Sequence, residues 1–207
     1  MSYEKDIQDK IDTKGDLPEK LDISLLKYFW QASPLSGSRP DSVPKFLRDI
    51  DVLKNFSDNE LRILSQSLHL RVFTDGEVIF SQKDIGVGLY FVYSGQVDVR
   101  VEKEADEDEN IIITLDKNDY FGELALLQEG SVRNATAVSR DTTQLLGIFK
   151  PDVEYLIESY PVVATKLLQS ISVIIANRLY SVTQELKRVK HRLNQMEAES
   201  AKALEKN

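Results

Sequence analysis

No cysteine occurs in the 207 residues, which removes disulfides, thiol catalysis, iron–sulfur clusters and Cys-ligated zinc together. Histidine is almost as scarce. His69 and His191 are the only two, far apart in the chain, so a histidine-based metal site or proton relay is hard to assemble. The opening residues, Met1-Ser2-Tyr3-Glu4-Lys5-Asp6, lack the apolar core of a secretory signal. Positive charge is also short: 26 Lys and Arg against 34 Asp and Glu leave a net charge of −8. That balance argues against broad nucleic-acid binding, which leans on phosphate neutralisation. The most apolar stretch, Pro161 to Leu179, is interrupted by Lys166, Gln169 and Asn177, which argues against a membrane span. A cytoplasmic protein is expected. What remains, 42% hydrophobic and 29% charged, is the composition of a soluble chain long enough for one well-buried domain with appendages.

Residues 1–44 are polar and hold four of the six prolines (Pro18, Pro34, Pro40 and Pro44). Within them Leu21, Leu25, Leu26 and Phe29 recur at helical spacing and predict a short amphipathic helix, folded back on its own domain or docking to a partner. A further helix is expected from Ser57, where Ser57 and Glu60 make a capping box and Phe56 can staple against Leu61. After Leu64 the apolar period changes from 3.6 to 2: Leu68, Leu70 and Val72 alternate with His69 and Arg71. Strand-like runs then follow at 77–80, 89–93, 96–102, 111–115, 136–139 and 144–149, punctuated by glycines. Short strands with regular turn signals predict an α+β protein built on an antiparallel β-roll, of the double-stranded β-helix or jelly-roll kind, with helices on its flanks. Residues 102–109 hold six carboxylates. They lack the glycine and terminal glutamate of a calcium loop and read as a solvated hairpin tip.

From Pro151 the chain turns helical, with Pro161 restarting a second helix after Ser159-Tyr160. Ile175, Leu179, Val182, Leu186, Val189, Leu193 and Met196 then step by four and three, an unbroken heptad seam. A helix from Val162 to about Leu204 is too long to pack wholly on a compact domain. Its distal half needs another helix, and a parallel homodimer through a coiled coil is expected; antiparallel docking or a partner's helix is the alternative. The expected organisation is therefore an extension at 1–44, a β-roll with flanking helices at 45–160 and a long dimerisation helix at 161–207.

The stretch carrying chemistry is Phe121-Gly122-Glu123-Leu124-Ala125-Leu126, followed by Gly130 and Arg133-Asn134-Ala135-Thr136. Gly122 lets backbone approach a ligand closely, and the N–H groups of Glu123, Leu124 and Ala125 begin a helical turn as open donors to an anion. Arg133 returns across the loop and can fork two hydrogen bonds onto phosphate oxygens. Glu123, an acceptor-only carboxylate beside a bound anion, suits a ligand hydroxyl. Phosphate with a neighbouring hydroxyl describes a ribose phosphate.

This pattern resembles the phosphate-binding cassette of the cyclic-nucleotide-binding domain family, F-G-E-[LIV]-[AG]-L with a later R-x-A. Gly88-Leu89-Tyr90-Phe91-Val92-Tyr93-Ser94-Gly95-Gln96-Val97 is similar to the strand–glycine–strand segment preceding that cassette, and the likeness runs from about Phe46 to Leu186. The spacing from Glu123 to Arg133 resembles that of bacterial catabolite-activator-type regulators. The resemblance implies that Gly122 and Glu123 hold the ribose, with Glu123 on its 2′-hydroxyl. Leu124, Ala125, Arg133, Asn134 and Ala135 would hold the cyclic phosphate. It places Val182 and Thr183 of the long helix against the base, where Thr183 can offer a hydroxyl and Val182 cannot. Tyr180 stands one turn earlier and would stack on the base or stay exposed. Two positions depart from the pattern. Asn118 replaces a turn glycine, a position asparagine tolerates, and Asn134 replaces a small residue, which leaves nucleotide choice between cAMP, the favoured ligand, and cGMP.

The resemblance thus implies a cytoplasmic cyclic-nucleotide sensor without a prosthetic group, signalling through its last helix to a protein partner. The chain ends within the coiled coil, so no DNA-reading domain and no membrane contact are expected. The alternatives are a non-binding coiled-coil adaptor that retains the roll, and an enzyme. A metal-dependent β-roll enzyme needs clustered His and carboxylate ligands, which two distant histidines do not supply, so no enzyme is expected.

Overall fold

Alternation of apolar and polar residues produces six strands, all paired antiparallel, in the computed structural model, which describes residues 42–101, 110–128 and 130–204. The strands are β1 (His69–Phe73), β2 (Val78–Phe80), β3 (Gly88–Val101), β4 (Asn110–Leu115), β5 (Tyr120–Phe121) and β6 (Thr136–Phe149). One edge of β6 takes β1, from His69 opposite Gly147 to Phe73 opposite Thr143, and then β2, with Val78 opposite Val138. Its other edge takes β3. On the far side of β3 lie β5, with Tyr90 opposite Phe121, and β4, with Val97 opposite Leu115. This is the antiparallel roll that the spacing of short strands predicts. The amphipathic helix expected over Leu21–Phe29 and the acidic hairpin tip at 102–109 lie outside the described residues.

The strand count differs from the sequence reading in two respects, one being the short strand β5, which is not among the expected runs. The run 89–93 and the described part of the run 96–102, to Val101, belong to a single strand, β3, and 136–139 and 144–149 to a single strand, β6, each 14 residues long. Ser94-Gly95 and Arg140-Asp141 are therefore bulges. The β3–β6 register shifts between Val92 and Ser94 and again between Ser94 and Gln96. Gly95 at φ +82° and Asp141 at φ +57° take up the extra residues. The Thr143 hydroxyl donates to the Gln96 carbonyl at 2.8 Å and accepts from the Gln96 N–H at 3.2 Å, bridging the irregularity. A bulge bends a strand and raises its twist without ending the ladder, so both strands can follow the curve of the roll.

Inward-facing residues close the interior. Phe73, Ile79, Tyr90, Val92, Val97, Ala137 and Leu145 are fully buried in one cluster with Phe80, Phe121 and Phe149. Tyr90 stacks on Phe121 at 5.4 Å and meets Phe149 edge-on at 6.2 Å. Fully burying each such side chain stabilises the fold by about 1.5–3 kcal/mol.

The flanking helices precede and follow the roll. Helix α1 (Ser42–Arg48), a 3₁₀ turn (Asp51–Leu53) and helix α2 (Asp58–Gln66) bury Phe46, Leu47, Ile50, Leu53, Leu61 and Leu64. Phe46 meets Tyr93 of β3 edge-on at 4.9 Å, and the Tyr93 hydroxyl bonds Ser42 Oγ at 3.0 Å. The capping box of α2 forms as expected: Ser57 Oγ accepts the Glu60 N–H at 3.3 Å, and Glu60 Oε2 accepts the Ser57 N–H at 2.7 Å. A short helix, α3 (Leu124–Leu127), interrupts the strands, and α4 (Lys150–Ser159) follows β6 with Pro151 in its first turn. Asp152 anchors α4, accepting the Phe149 N–H at 3.0 Å while both its oxygens lie 3.0 Å from His69 Nε2 on β1. The last helix, α5 (Pro161–Leu204), begins at the expected proline and runs for 44 residues.

The chain divides into two compact units, residues 1–166 and 167–207. Lys166, the last residue of the first unit, donates from Nζ to Glu60 Oε2 at 2.6 Å and to the Asn55 carbonyl at 3.0 Å. In the second unit Leu167, Ile171 and Ile174 are buried, whereas the seam from Leu179 to Met196 is exposed. Despite Lys166, Gln169 and Asn177, α5 is long and apolar enough by length and composition to cross a bilayer, with a mean hydropathy of 1.3 over one window, a third of it buried. That is weak evidence for a span, because an amphipathic helix with one buried face meets the same criterion.

The Lys166 ammonium, and then the N–H of Ser57, hold the Glu60 carboxyl below its usual range. A carboxylate depressed in the folded state stabilises the fold above its unfolded pKa, about 4.3, and loses that contribution as pH falls through the folded value. Glu60→Gln is therefore expected to be less stable than the parent at pH 7, with the gap closing below about pH 4. Urea titrations of both proteins across that range test it; a gap independent of pH would refute the assignment.

Candidate ligand-binding site

The segment from Phe121 to Thr136 leaves β5, makes one helical turn and returns to β6. Phe121 is buried, and the chain then turns at Gly122 with φ +82°. A Cβ there would sit 2.5 Å from Arg133 Nη1 and 2.9 Å from the Gly88 carbonyl oxygen, so close approach as well as backbone conformation demands glycine. Helix α3 follows at once: the Ala125 N–H donates to the Gly122 carbonyl at 3.2 Å and the Leu126 N–H to the Glu123 carbonyl at 3.1 Å. This corrects one part of the sequence reading. The N–H of Ala125 is not an open donor, because the left-handed turn at Gly122 brings its own carbonyl back over the start of the helix.

The return limb is held by residues far upstream. Ile85 and Val132 form an isolated antiparallel bridge. Around it Gly86 N–H donates to the Ser131 carbonyl, Arg133 N–H to the Asp84 carbonyl and Lys83 N–H to the Arg133 carbonyl, each at 2.8 Å. The Gln82 N–H donates to Thr136 Oγ1 at 2.9 Å. The β2–β3 connection thus clamps both sides of Arg133 and fixes where its side chain enters.

That side chain points inward and is 5% exposed. Its Cζ lies 4.1 Å from the centroid of the Phe80 ring and 5.7 Å from that of Tyr90. Nη1 donates to the Gly122 carbonyl at 3.0 Å and Nη2 to the Gly88 carbonyl at 2.9 Å. A guanidinium stays charged even when buried, so aromatic faces and carbonyl dipoles here hold a fixed positive charge beneath the start of α3. Four charged residues are buried among the described ones: Asp98, Glu123, Arg133 and Asp152. Asp98 bonds Thr114 at 2.7 Å and faces Arg140 at 3.2 Å, and Asp152 serves α4 and His69. The other two both belong to the cassette, with Glu123 only 2% exposed.

The structure brings Gly122, Ala125 and Arg133 together, and joins to them residues that sequence reasoning missed. Gly86 is one: a Cβ there would stand 2.8 Å from Ala125 Cβ and 3.2 Å from Arg133 Cζ. Phe80, Tyr90 and the Gly88 carbonyl are the others. Gly86 and Gly88, two glycines opening β3, were a readable sign of close approach, but nothing in the sequence says what approaches. Leu124 and Asn134 are exposed and Ala135 is half-buried. Asn118 adopts φ +76° and its N–H donates to the Val92 carbonyl at 3.0 Å, so the turn before the cassette survives without glycine. Val182 and Thr183 lie in the second unit, both exposed, and the Thr183 hydroxyl donates to the Leu179 carbonyl of its own helix at 2.8 Å. Among the described residues no three His, Cys, Asp or Glu side chains are grouped as metal ligands.

An antiparallel roll here carries a helical turn set over a buried arginine, a donor group chemically suited to an anion. Residues 70–160 match the family model of the cyclic nucleotide-binding domain. The chain is 36% identical over 116 residues, 56% of its length, to the cyclic AMP receptor protein of Thermus thermophilus. It is 35% identical over 99 residues, 48% of its length, to the cAMP-dependent protein kinase regulatory subunit of Mycosarcoma maydis. It spans 51% of the first relative and 18% of the second. The crystal structure of a cyclic nucleotide-binding domain from Methylobacillus flagellatus shares the fold, with a TM-score of 0.60 at 18% identity, covering 69% of this chain and 79% of that one.

Gly122→Ala is expected to lower stability by more than about 1 kcal/mol, since the new Cβ meets both a left-handed backbone and the guanidinium. Thermal unfolding of the two proteins tests this, and an unchanged midpoint would show that Arg133 is not held against the loop.

Proposed function

We propose that this chain is a cyclic-nucleotide sensor, with cAMP rather than cGMP as its ligand, and that it is not an enzyme. Both relatives described above carry cAMP in their names. The observation that carries the reading is the buried Arg133 guanidinium, which donates to the Gly122 and Gly88 carbonyls at the turn that begins α3. A cyclic phosphate entering there accepts from the guanidinium as an anion, and charge-assisted hydrogen bonds are roughly twice as strong as neutral ones. Leu124, Asn134 and Ala135 complete the phosphate site, and Ala125 joins them only by releasing its N–H from the Gly122 carbonyl. Gly122 and the buried carboxylate of Glu123 take the ribose, and Val182 and Thr183 of α5 serve the base. In this reading residues 45–160 are the sensor, 161–207 self-associate as a parallel homodimer through a coiled coil, and a separate cytoplasmic protein receives the signal. Ligand acts by favouring one arrangement of the last helix over another, by no more than its difference in affinity for the two.

Arg133→Ala removes at least two charge-assisted hydrogen bonds of about 1.5–3 kcal/mol each, which predicts at least a hundredfold weaker cAMP binding in titration calorimetry. Arg133→Lys keeps the charge and loses the fork, and is expected to fall between. Unchanged affinity in both would refute the site. Saturating cAMP at a hundred times its Kd should raise the unfolding free energy of the parent by about 2.7 kcal/mol. No shift with cAMP, cGMP or another cyclic nucleotide would favour a non-binding adaptor assembled by its seam.

A further inference from the structure

Positive charge is scarce in this chain, with 26 Lys and Arg against 34 Asp and Glu, yet α5 gathers it in one place. Residues 186–192 read Leu-Lys-Arg-Val-Lys-His-Arg. Leu186 and Val189 belong to the apolar seam, and every other position holds a cation or a histidine. At 3.6 residues per turn Lys187, Arg188 and His191 face away from the seam, while Lys190 and Arg192 lie on its two flanks. All five side chains are exposed. Arg188 reaches Glu185 at 3.5 Å and His191 meets Gln195 at 3.0 Å. Among the described residues no ion pair holds Lys187, Lys190 or Arg192. This concentration works against the helix, because Lys187 with Lys190 and Arg188 with Arg192 are like charges three and four positions apart. The helix dipole does not offset it: α5 runs on to Leu204, and that effect is confined to the last turn.

Unpaired cations packed together at a cost to their own helix are complementary to an anion, and the size of the band limits which anion. Seven residues of helix span roughly 10 Å. A nucleic-acid duplex or a lipid bilayer is an extended polyanion, and beyond the band it would meet a chain that is acidic in sum. A short acidic segment of a protein touches the band alone, and salt screens it from carboxylates more than about 8 Å away. We infer that residues 187–192 of α5 are a docking site for an acidic protein segment, with Lys187, Arg188 and Arg192 as its principal contacts. Lys187 and Arg188 face away from the seam, so the site does not depend on what covers the apolar stripe. That the segment belongs to the receiver of the signal rests on the sensor proposed above; the contact itself does not.

Fluorescence anisotropy of the full chain with a short labelled peptide of alternating glutamate and alanine tests the site. Saturable binding that weakens as salt rises is expected. Lys187→Gln, Arg188→Gln and Arg192→Gln together should weaken it by about tenfold or more. Glutamine keeps the helix propensity of the residues it replaces, and this variant should hold cAMP as the parent does in titration calorimetry. Removing three exposed cations elsewhere, with Lys45→Gln, Arg62→Gln and Lys117→Gln, should leave peptide binding unchanged. An equal loss in the two triple variants would overturn the inference, as would a parent that does not bind the peptide. Tighter binding of the parent to duplex DNA or to phosphatidylserine vesicles than to the peptide would overturn the class of partner. A parent that binds the peptide but no cyclic nucleotide would refute the sensor and leave the docking site standing.

Discussion

The placement of one guanidinium constrains the rest of this site. Arg133 is driven inward between the ring of Phe80 and two backbone carbonyls, and a permanent charge in so dry a place must be answered by groups fixed around it. That requirement explains features otherwise unrelated in the chain. Gly122 and Gly86 have no side chain because a Cβ at either would strike the arginine. The loop between β2 and β3 pairs with residues on both sides of Arg133 because the entry point of its side chain must not drift. The aromatic interior of the roll serves as its floor.

The roll supplies that rigidity through two long strands. The start of β3 pairs with the end of β6, while the segment just ahead of β3 pairs with the limb that carries Arg133 through the Ile85–Val132 bridge. Gly88 and Arg133 are 45 positions apart in the chain yet share a hydrogen bond. Ends of strands position a charge more firmly than a free loop does, and α3 rides on that frame as a single turn. At the other end of β6, Asp152 fastens α4 to β1 through His69, and Lys166 fastens the first turns of α5 to Glu60. Beyond those anchors the apolar stripe of the last helix from Leu179 to Met196 is exposed.

Much of this was legible in the residues. The change of apolar period after Leu64 located the roll, the capping box at Ser57 located α2, and Pro161 located the start of α5. Asn118 was readable as a substitute for glycine because its side chain tolerates a left-handed backbone, and its φ is +76°. The division of β3 and β6 was misread because Ser94-Gly95 and Arg140-Asp141 carry the residues of turns. Whether such a pair reverses the chain or bulges it depends on what lies across the ladder, here Thr143 against Gln96. The open donor expected at Ala125 was lost for a similar reason, since a four-residue helix closes on the carbonyl of the glycine that starts it.

Local chemistry decided what could be written along the chain: which segments alternate, which cap, where an arginine and a glutamate stand relative to a glycine turn. Those depend on neighbours a few bonds away, and sequence alone determines them. Folding decided what surrounds the arginine. Phe80, Gly86, Gly88 and Tyr90 reach it only because antiparallel pairing brings remote strands within hydrogen-bond distance, and no periodicity in the sequence encodes which aromatic ring will lie beneath which charge.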